Sequence, residues 1–203
     1  MSDTTDNRFH FDRAQAEDLP ALGRLAAGTV LGSHRAVPLD VMQAWMRKNP
    51  EVLHVLRRGD EIVGYACILP LSKETIMHAM KGKISARAIP LDAIEPFTPS
   101  TSLTLYIVET VVKQDMPDKV RVAARLISEI ATFLIHLTQQ NMLVEELYAV
   151  AVTPYGIRLC RALGFQEMNL PGAVEAGRIP FQLDLKAGQS LAITRWVSQS
   201  DLP

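Results

Sequence analysis

The sequence predicts an α/β fold: one mixed, mostly antiparallel sheet with a central parallel or splayed strand pair, and helices on both faces. Three observations predict it. Leu103 to Lys113 and Leu143 to Val152 are β-rich apolar runs joined by a long amphipathic segment, which implies a right-handed crossover between neighbouring strands. Two further β-rich runs, Glu51 to Leu56 and Ile62 to Leu69, flank Arg58-Gly59-Asp60 and read as an antiparallel hairpin. The chain has 203 residues, 48% hydrophobic and 21% charged, which is material for one packed core.

Taken in order, residues 1–7 read as a flexible leader and residues 8–203 as a single domain. Arg8 to Arg13 alternates enough to be a strand. A helix follows, with Leu19, Leu22, Leu25 and Ala26 at helical spacing and Glu17-Asp18 at its positive end. Gly28, Gly32 and Ser33 break the pattern. After Pro38 a second helix carries Val41, Met42, Trp45 and Met46 on one face and stops at Asn49-Pro50. Beyond the hairpin come a polar helix, Ser72 to Lys81, and a Pro-rich crossing (Pro90, Pro96, Pro99). That crossing is the one plausible internal boundary, but the strands on either side read as members of one sheet. The crossover helix, Val120 to Gln140, presents Val122, Leu126, Ile130, Phe133, Leu134 and Leu137 as its apolar face. Thr153-Pro154 opens another helix, Tyr155 to Leu163, ended by Gly164, with a strand starting at Phe165. Ile179 to Leu185 is a late strand, and Ser190 to Val197, with Trp196, a short tail helix.

Composition narrows the function classes. A formal net charge of −1 gives no global field to recruit nucleic acid or an anionic membrane. Arg47-Lys48 and Arg57-Arg58 read as solvated ends or turns. No apolar h-region follows Met1, and every apolar run is shorter than the ~20 residues a span needs, so the cytoplasm is the expected location. Cys67 and Cys160 form neither a disulfide framework nor a metal-ligand pattern with the histidines, so no metal is expected.

Three local motifs, in this order and spacing, resemble the GNAT superfamily of acyl-CoA-dependent N-acyltransferases over about residues 8–170. They are Arg13 to Leu22 at the opening strand-to-helix junction, Glu61-Ile62-Val63-Gly64-Tyr65 in the hairpin, and Thr153 to Phe165 ending in Leu163-Gly164-Phe165. The resemblance implies the GNAT fold, in which the central pair diverges into a slot for pantetheine, here between the strands ending at Val112 and Val152. It implies main-chain contacts to pantetheine from Val111 and Val112, and a helix start near Val120 aimed at pyrophosphate. The implied activity is acyl transfer, most simply acetyl, from acetyl-CoA or another acyl-CoA to a primary amine of a small molecule or protein. A homodimer is expected by analogy alone.

The phosphate loop departs from the family pattern. Asp118-Lys119-Val120-Arg121-Val122-Ala123 keeps Ala123, but Arg121 stands for the first Gly and Asp118 for a basic or amide residue. Losing one charge-assisted main-chain bond costs about 1.5–3 kcal/mol, which a guanidinium gripping phosphate offsets, with Lys119 as a second cation. The competing reading is a solvated helix start that binds nothing.

For chemistry, Glu109 interrupts an apolar strand, and alternation puts it on the face of Ile107 and Val111, with Tyr106 turned away. Its position resembles the strand glutamate that serves as base in some relatives; the alternative is an exposed edge acid. Cys160 occupies the place of the family's acid tyrosine, as proton donor or nucleophile, against a plain core role. Tyr155 is the alternative acid, or a packing aromatic. Glu145 and Glu146 read as surface residues. Trp45 and the methionines Met42, Met46, Met77 and Met80 fit either core or pocket wall, and in the latter case a longer acyl chain. A GNAT-fold module that binds a ligand or protein without chemistry is the rival to an enzyme.

Overall fold

The computed structural model describes residues 8–29, 36–170, 173 and 178–185. The expected leader, His34 and the expected tail helix lie outside the described residues. The elements run β1 (Phe9–Arg13), α1 (Leu19–Ala27), α2 (Leu39–Lys48), β2 (Leu53–Arg58), β3 (Glu61–Pro70), α3 (Lys73–Met80), β4 (Ser102–Val112), α4 (Lys119–Gln139), β5 (Leu143–Ala151), α5 (Pro154–Ala162), β6 (Gln166–Glu167) and β7 (Ile179–Asp184). All seven strands join one sheet in the order β1-β2-β3-β4-β5-β7-β6. Only β4 and β5 are parallel; every other neighbouring pair is antiparallel.

Helices cover both faces, which is why the central strands read as continuous apolar runs. On one face, Leu22 of α1, Met42 and Trp45 of α2 and Ile76 and Met80 of α3 pack on Tyr65, Leu69, Tyr106 and Tyr148. On the other, Val122, Leu126, Ile130 and Leu134 of α4 pack on Ile68, Leu105, Leu147 and Phe181, joined by Ile157 and Cys160 of α5. Trp45 and Met42 are core, each 1% exposed.

Local signals explain the element ends. Ser72 caps α3 by accepting from Thr75 N–H at 3.3 Å, and Thr153 caps α5 by accepting from Gly156 N–H at 3.0 Å. Gly59 in the β2–β3 turn and Gly164 after α5 take φ of 57° and 86°, conformations that favour glycine. The Pro-rich crossing is an excursion between β3 and β4, which pair directly on either side of it. It is pinned by a Leu71–Ile94 bridge and by Asn49 Nδ2 donating to the Glu95 carbonyl at 2.9 Å.

Two surface expectations fail for the same reason, that a charge finds a partner distant in sequence. Arg57 grips both Asp18 oxygens at 2.7 and 2.8 Å, and Arg58 reaches Asp118 at 2.7 Å, so the pair is no solvated turn. Glu146 is only 8% exposed. It accepts from Lys73 Nζ (2.9 Å), Gln182 Nε2 (2.9 Å) and the Tyr148 hydroxyl (3.1 Å), which together replace its hydration. Among the described residues no helix is long and apolar enough to cross a membrane, and no cluster of His, Cys, Asp and Glu has the makings of a metal site.

Candidate functional site

The parallel pair holds from Ser102–Leu143 to Ile107–Ala149 and then stops. Beyond it β4 continues to Val112, while the last residues of β5, Val150 and Ala151, pair only with β7. From there on the two strands no longer bond to each other, and this end of the pair is where the expected slot lies. The parting coincides with a β-bulge: Cys67 faces Glu109 and Ile68 faces Ile107, leaving Val108 as the extra residue of β4. A bulge bends its strand and increases the local twist, which turns the end of β4 away from β5.

The bulge also corrects the expected facing of Glu109. Alternation puts it with Ile107 and against Tyr106, but one extra residue flips every side chain beyond it. Glu109 therefore lies with Tyr106 and Val111 on the face of α1, α2 and α3, whereas Ile107 packs on the α4 side. There the Tyr65 hydroxyl donates to Glu109 Oε2 at 2.8 Å and the Val37 N–H donates to Oε1 at 2.9 Å. Burial raises the carboxyl above its usual range, and these two bonds pull it back down. Burial and the Glu109 charge push the Tyr65 phenol and the Cys67 thiol up, so both stay protonated. The result is a half-buried carboxylate of enhanced basicity, oriented at both oxygens, beside the mouth of the slot.

The open edge of β4 supplies main-chain groups. Lys113 N–H donates to the Val63 carbonyl at 2.9 Å, which fixes the ladder alternation. Lys113 and Val111 turn their main chain to β3, and Thr110 and Val112 turn theirs to the slot. Of the two expected pantetheine-contacting residues, Val112 presents main chain on the β5 side and Val111 on the β3 side. The Val112 carbonyl accepts from Gln114 Nε2 at 2.8 Å.

At the start of α4, Val122 N–H bonds Asp118 O at 3.1 Å, and the Val122 and Ala123 side chains are buried in the core. The N–H groups of Val120 and Arg121 precede any intrahelical partner and carry the helix's positive end. Lys119 and Arg121 are exposed beside them. Asp118, an acid at a position suited to anions, is neutralised by Arg58, which is stacked over Phe9 at 4.9 Å. Sequence reasoning missed Arg58 here because its partner lies 60 residues away.

The two expected acids part company. Tyr155 is exposed at the first turn of α5, which follows β5 as α4 follows β4, so both helix starts lie at the end where the slot opens. Cys160 packs with Ile157 and Leu163 against the core on the α4 face, and burial pushes its thiol up to about 11. At neutral pH it is a thiol and not a nucleophile. The structure brings Glu109 and Val112 to the slot, and it separates Cys160 from Glu109 by the thickness of the sheet. Tyr65 was missed as well; the signal was a polar-tipped aromatic inside an apolar strand.

Neither a protein-family model nor a curated protein matches the sequence. Solved structures do match in fold. The loading GNATL domain of CurA from Lyngbya majuscula aligns with TM-score 0.63 at 14% identity, over 88% of this chain and 98% of that one. The GphF GNAT-like decarboxylase in complex with isobutyryl-CoA gives 0.62 at 15%, over 88% and 100%. FeeM, an N-acyl amino acid synthase from uncultured soil microbes, gives 0.57 at 14%, over 90% and 94%.

Proposed function

Taking as premise that this chain has the GNAT fold, we propose that it is an acyltransferase that moves an acyl group, most simply acetyl, from acyl-CoA to a primary amine. The observation that carries the reading is the slot itself: β4 and β5 part after Ile107–Ala149, and the oriented carboxylate of Glu109 follows within two residues on β4. Neighbours of this fold named as an isobutyryl-CoA complex and an N-acyl amino acid synthase support it.

In the proposed reaction the amine nitrogen attacks the thioester carbonyl carbon. The C–N bond forms, the C–S bond breaks, and the amine proton passes to Glu109 directly or through one water. CoA leaves as a thiolate and is protonated at the slot. That acid role falls to Tyr155, exposed at the α5 start, in preference to the half-buried thiol of Cys160 on the α4 face. Thr110 and Val112 offer main chain to pantetheine. The Val120 and Arg121 N–H groups, with the Lys119, Arg121 and Arg58 side chains, offer donors to pyrophosphate. We also propose that residues 8–203 act as one domain.

Titration calorimetry with acetyl-CoA, CoA and a longer acyl-CoA tests this. Micromolar binding weakened about tenfold or more by Arg121→Ala supports the site. No heat and no thermal shift with any of the three sinks the transferase. The second reading, a GNAT-fold module without chemistry, is favoured by Arg121 in the glycine's place and by the packing of Cys160 against the core on the α4 face. CoA binding without turnover on any amine, unaltered by Glu109→Gln, selects it.

A further inference from the structure

On the face of α1, α2 and α3 a cavity of about 310 Å³ lies between the two first helices and the β3–β4 excursion. Gly23 and Ala26 of α1, Val37, and Leu39 and Met42 of α2 line it with small and apolar side chains, and Arg87 lines it too, on a side open to solvent. Arg87 is the one charged residue among the described lining. It is carried on a single 3-10 turn, Ala86–Ala88, that is fixed by the buried Ile89 and Ile94. Val37 belongs to the cavity wall and, through its N–H, to the Glu109 carboxylate 2.9 Å away. The cavity is therefore one residue from the proposed base.

A half-open pocket lined by apolar side chains and one guanidinium selects for shape and charge together. The walls reward a compact aliphatic body, and a cation facing apolar surface rewards a planar anion with a bidentate pair of bonds. A guanidinium has five N–H donors, so it holds a protein partner and a ligand carboxylate at once. A volume at the lower end of ligand pockets limits the guest to a small molecule.

We infer that this cavity binds the carboxylate end of a small aliphatic acid, with Arg87 as its recognition residue. Resting on the transferase reading, that makes the acceptor an amine that also carries a carboxylate, its amine directed to Glu109 and its acid to Arg87.

Titrating the full chain with hexanoate and with 1-hexanol tests the cavity without any transfer chemistry. The expectation is at least tenfold tighter binding of hexanoate, a preference abolished by Arg87→Gln, and loss of both ligands in Ala36→Leu, which fills the cavity. Equal affinities, no binding, a preference surviving Arg87→Gln, or binding untouched by Ala36→Leu overturns it. Acetyl-CoA titrated into the same preparations reports separately on the transferase reading. Where that holds, kcat/KM for 6-aminohexanoate should exceed that for hexylamine, and Arg87→Gln should raise KM for the acid alone; equal effects on both amines remove Arg87 from acceptor recognition.

Discussion

The hydroxyl of Tyr65, fully buried on β3, donates a 2.8 Å hydrogen bond to Oε2 of Glu109 on β4. Burial raises the Glu109 pKa, and this bond, with that from Val37, lowers it. A base works deprotonated, so activity falls as pH drops through the folded pKa. Removing a bond made to the charged form lets that pKa climb further. Tyr65→Phe should therefore move the acid limb of the kcat/KM profile to higher pH and leave the plateau rate little changed. Glu109→Gln should lose about 10²–10⁴-fold across the range. A Tyr65→Phe profile superposing on that of the wild type would take Glu109 out of proton transfer.

Arg58 and Asp118 are both part-exposed (22% and 35%), so their pair contributes only about 1 kcal/mol to stability, and each single loss should cost roughly that. Their effects on acyl-CoA affinity should have opposite signs. Arg58→Ala leaves an unneutralised acid beside the open N–H groups of α4 and should weaken binding several-fold. Asp118→Ala frees the guanidinium at the same place and should tighten it by a similar factor. Calorimetric titrations that move in the same direction for both variants would separate this pair from the cofactor.

The sheet was legible because its signal is local. The 3.6-residue spacing of Val122, Leu126, Ile130 and Leu134, and the apolar runs on either side, contain the β4-α4-β5 unit in one stretch of chain. The site was less legible because its determinants are not local. The bulge at Val108 leaves no mark on composition, yet it decides which face Glu109 occupies. Glu146 reads as a surface acid until Lys73 and Gln182 arrive from 73 and 36 residues away. Cys160 occupies the position that the motif pattern gives an acid, but the apolar side of α5 turns it, half-buried, against the core on the α4 face.

His54 lies between Phe11, at 5.0 Å and 8° off parallel, and Phe133 at 4.5 Å. Burial first, and the Arg13 charge second, lower its pKa from 6.5 to about 4. The fold therefore holds the neutral ring. Above pH 6.5 both folded and unfolded states are neutral and nothing is lost; between 6.5 and about 4 only the unfolded chain gains the proton, and stability falls. Complete loss amounts to roughly 3 kcal/mol at 1.36 per pH unit. Urea unfolding at pH 7.5 and 4.5 should show this decline in the wild type and a smaller one in His54→Phe, which keeps the stack and removes the titrating group.

Gly64 marks where β3 touches the end of β4 that borders the slot. A Cβ there would lie 3.0 Å from the Val111 carbonyl oxygen, 3.4 Å from Val112 Cγ1 and 3.5 Å from Leu126 Cδ2. The nearest of these is backbone, held in the ladder, and has little room to yield. Gly64→Ala should destabilise by about 1–3 kcal/mol, as overpacking does. Because relief of the clash pushes the last turns of β4 toward the slot, acyl-CoA affinity should fall with it. Gly28→Ala is the matched control, since its Cβ meets only the Arg24 and Leu25 carbonyls at an ordinary 3.6 Å and its φ is −76°. That change should be neutral or add up to about 1 kcal/mol by restricting the unfolded chain. Urea midpoints at constant m compare the two, and equal midpoints would show that the β3–β4 approach is looser than its 3.0 Å contact requires.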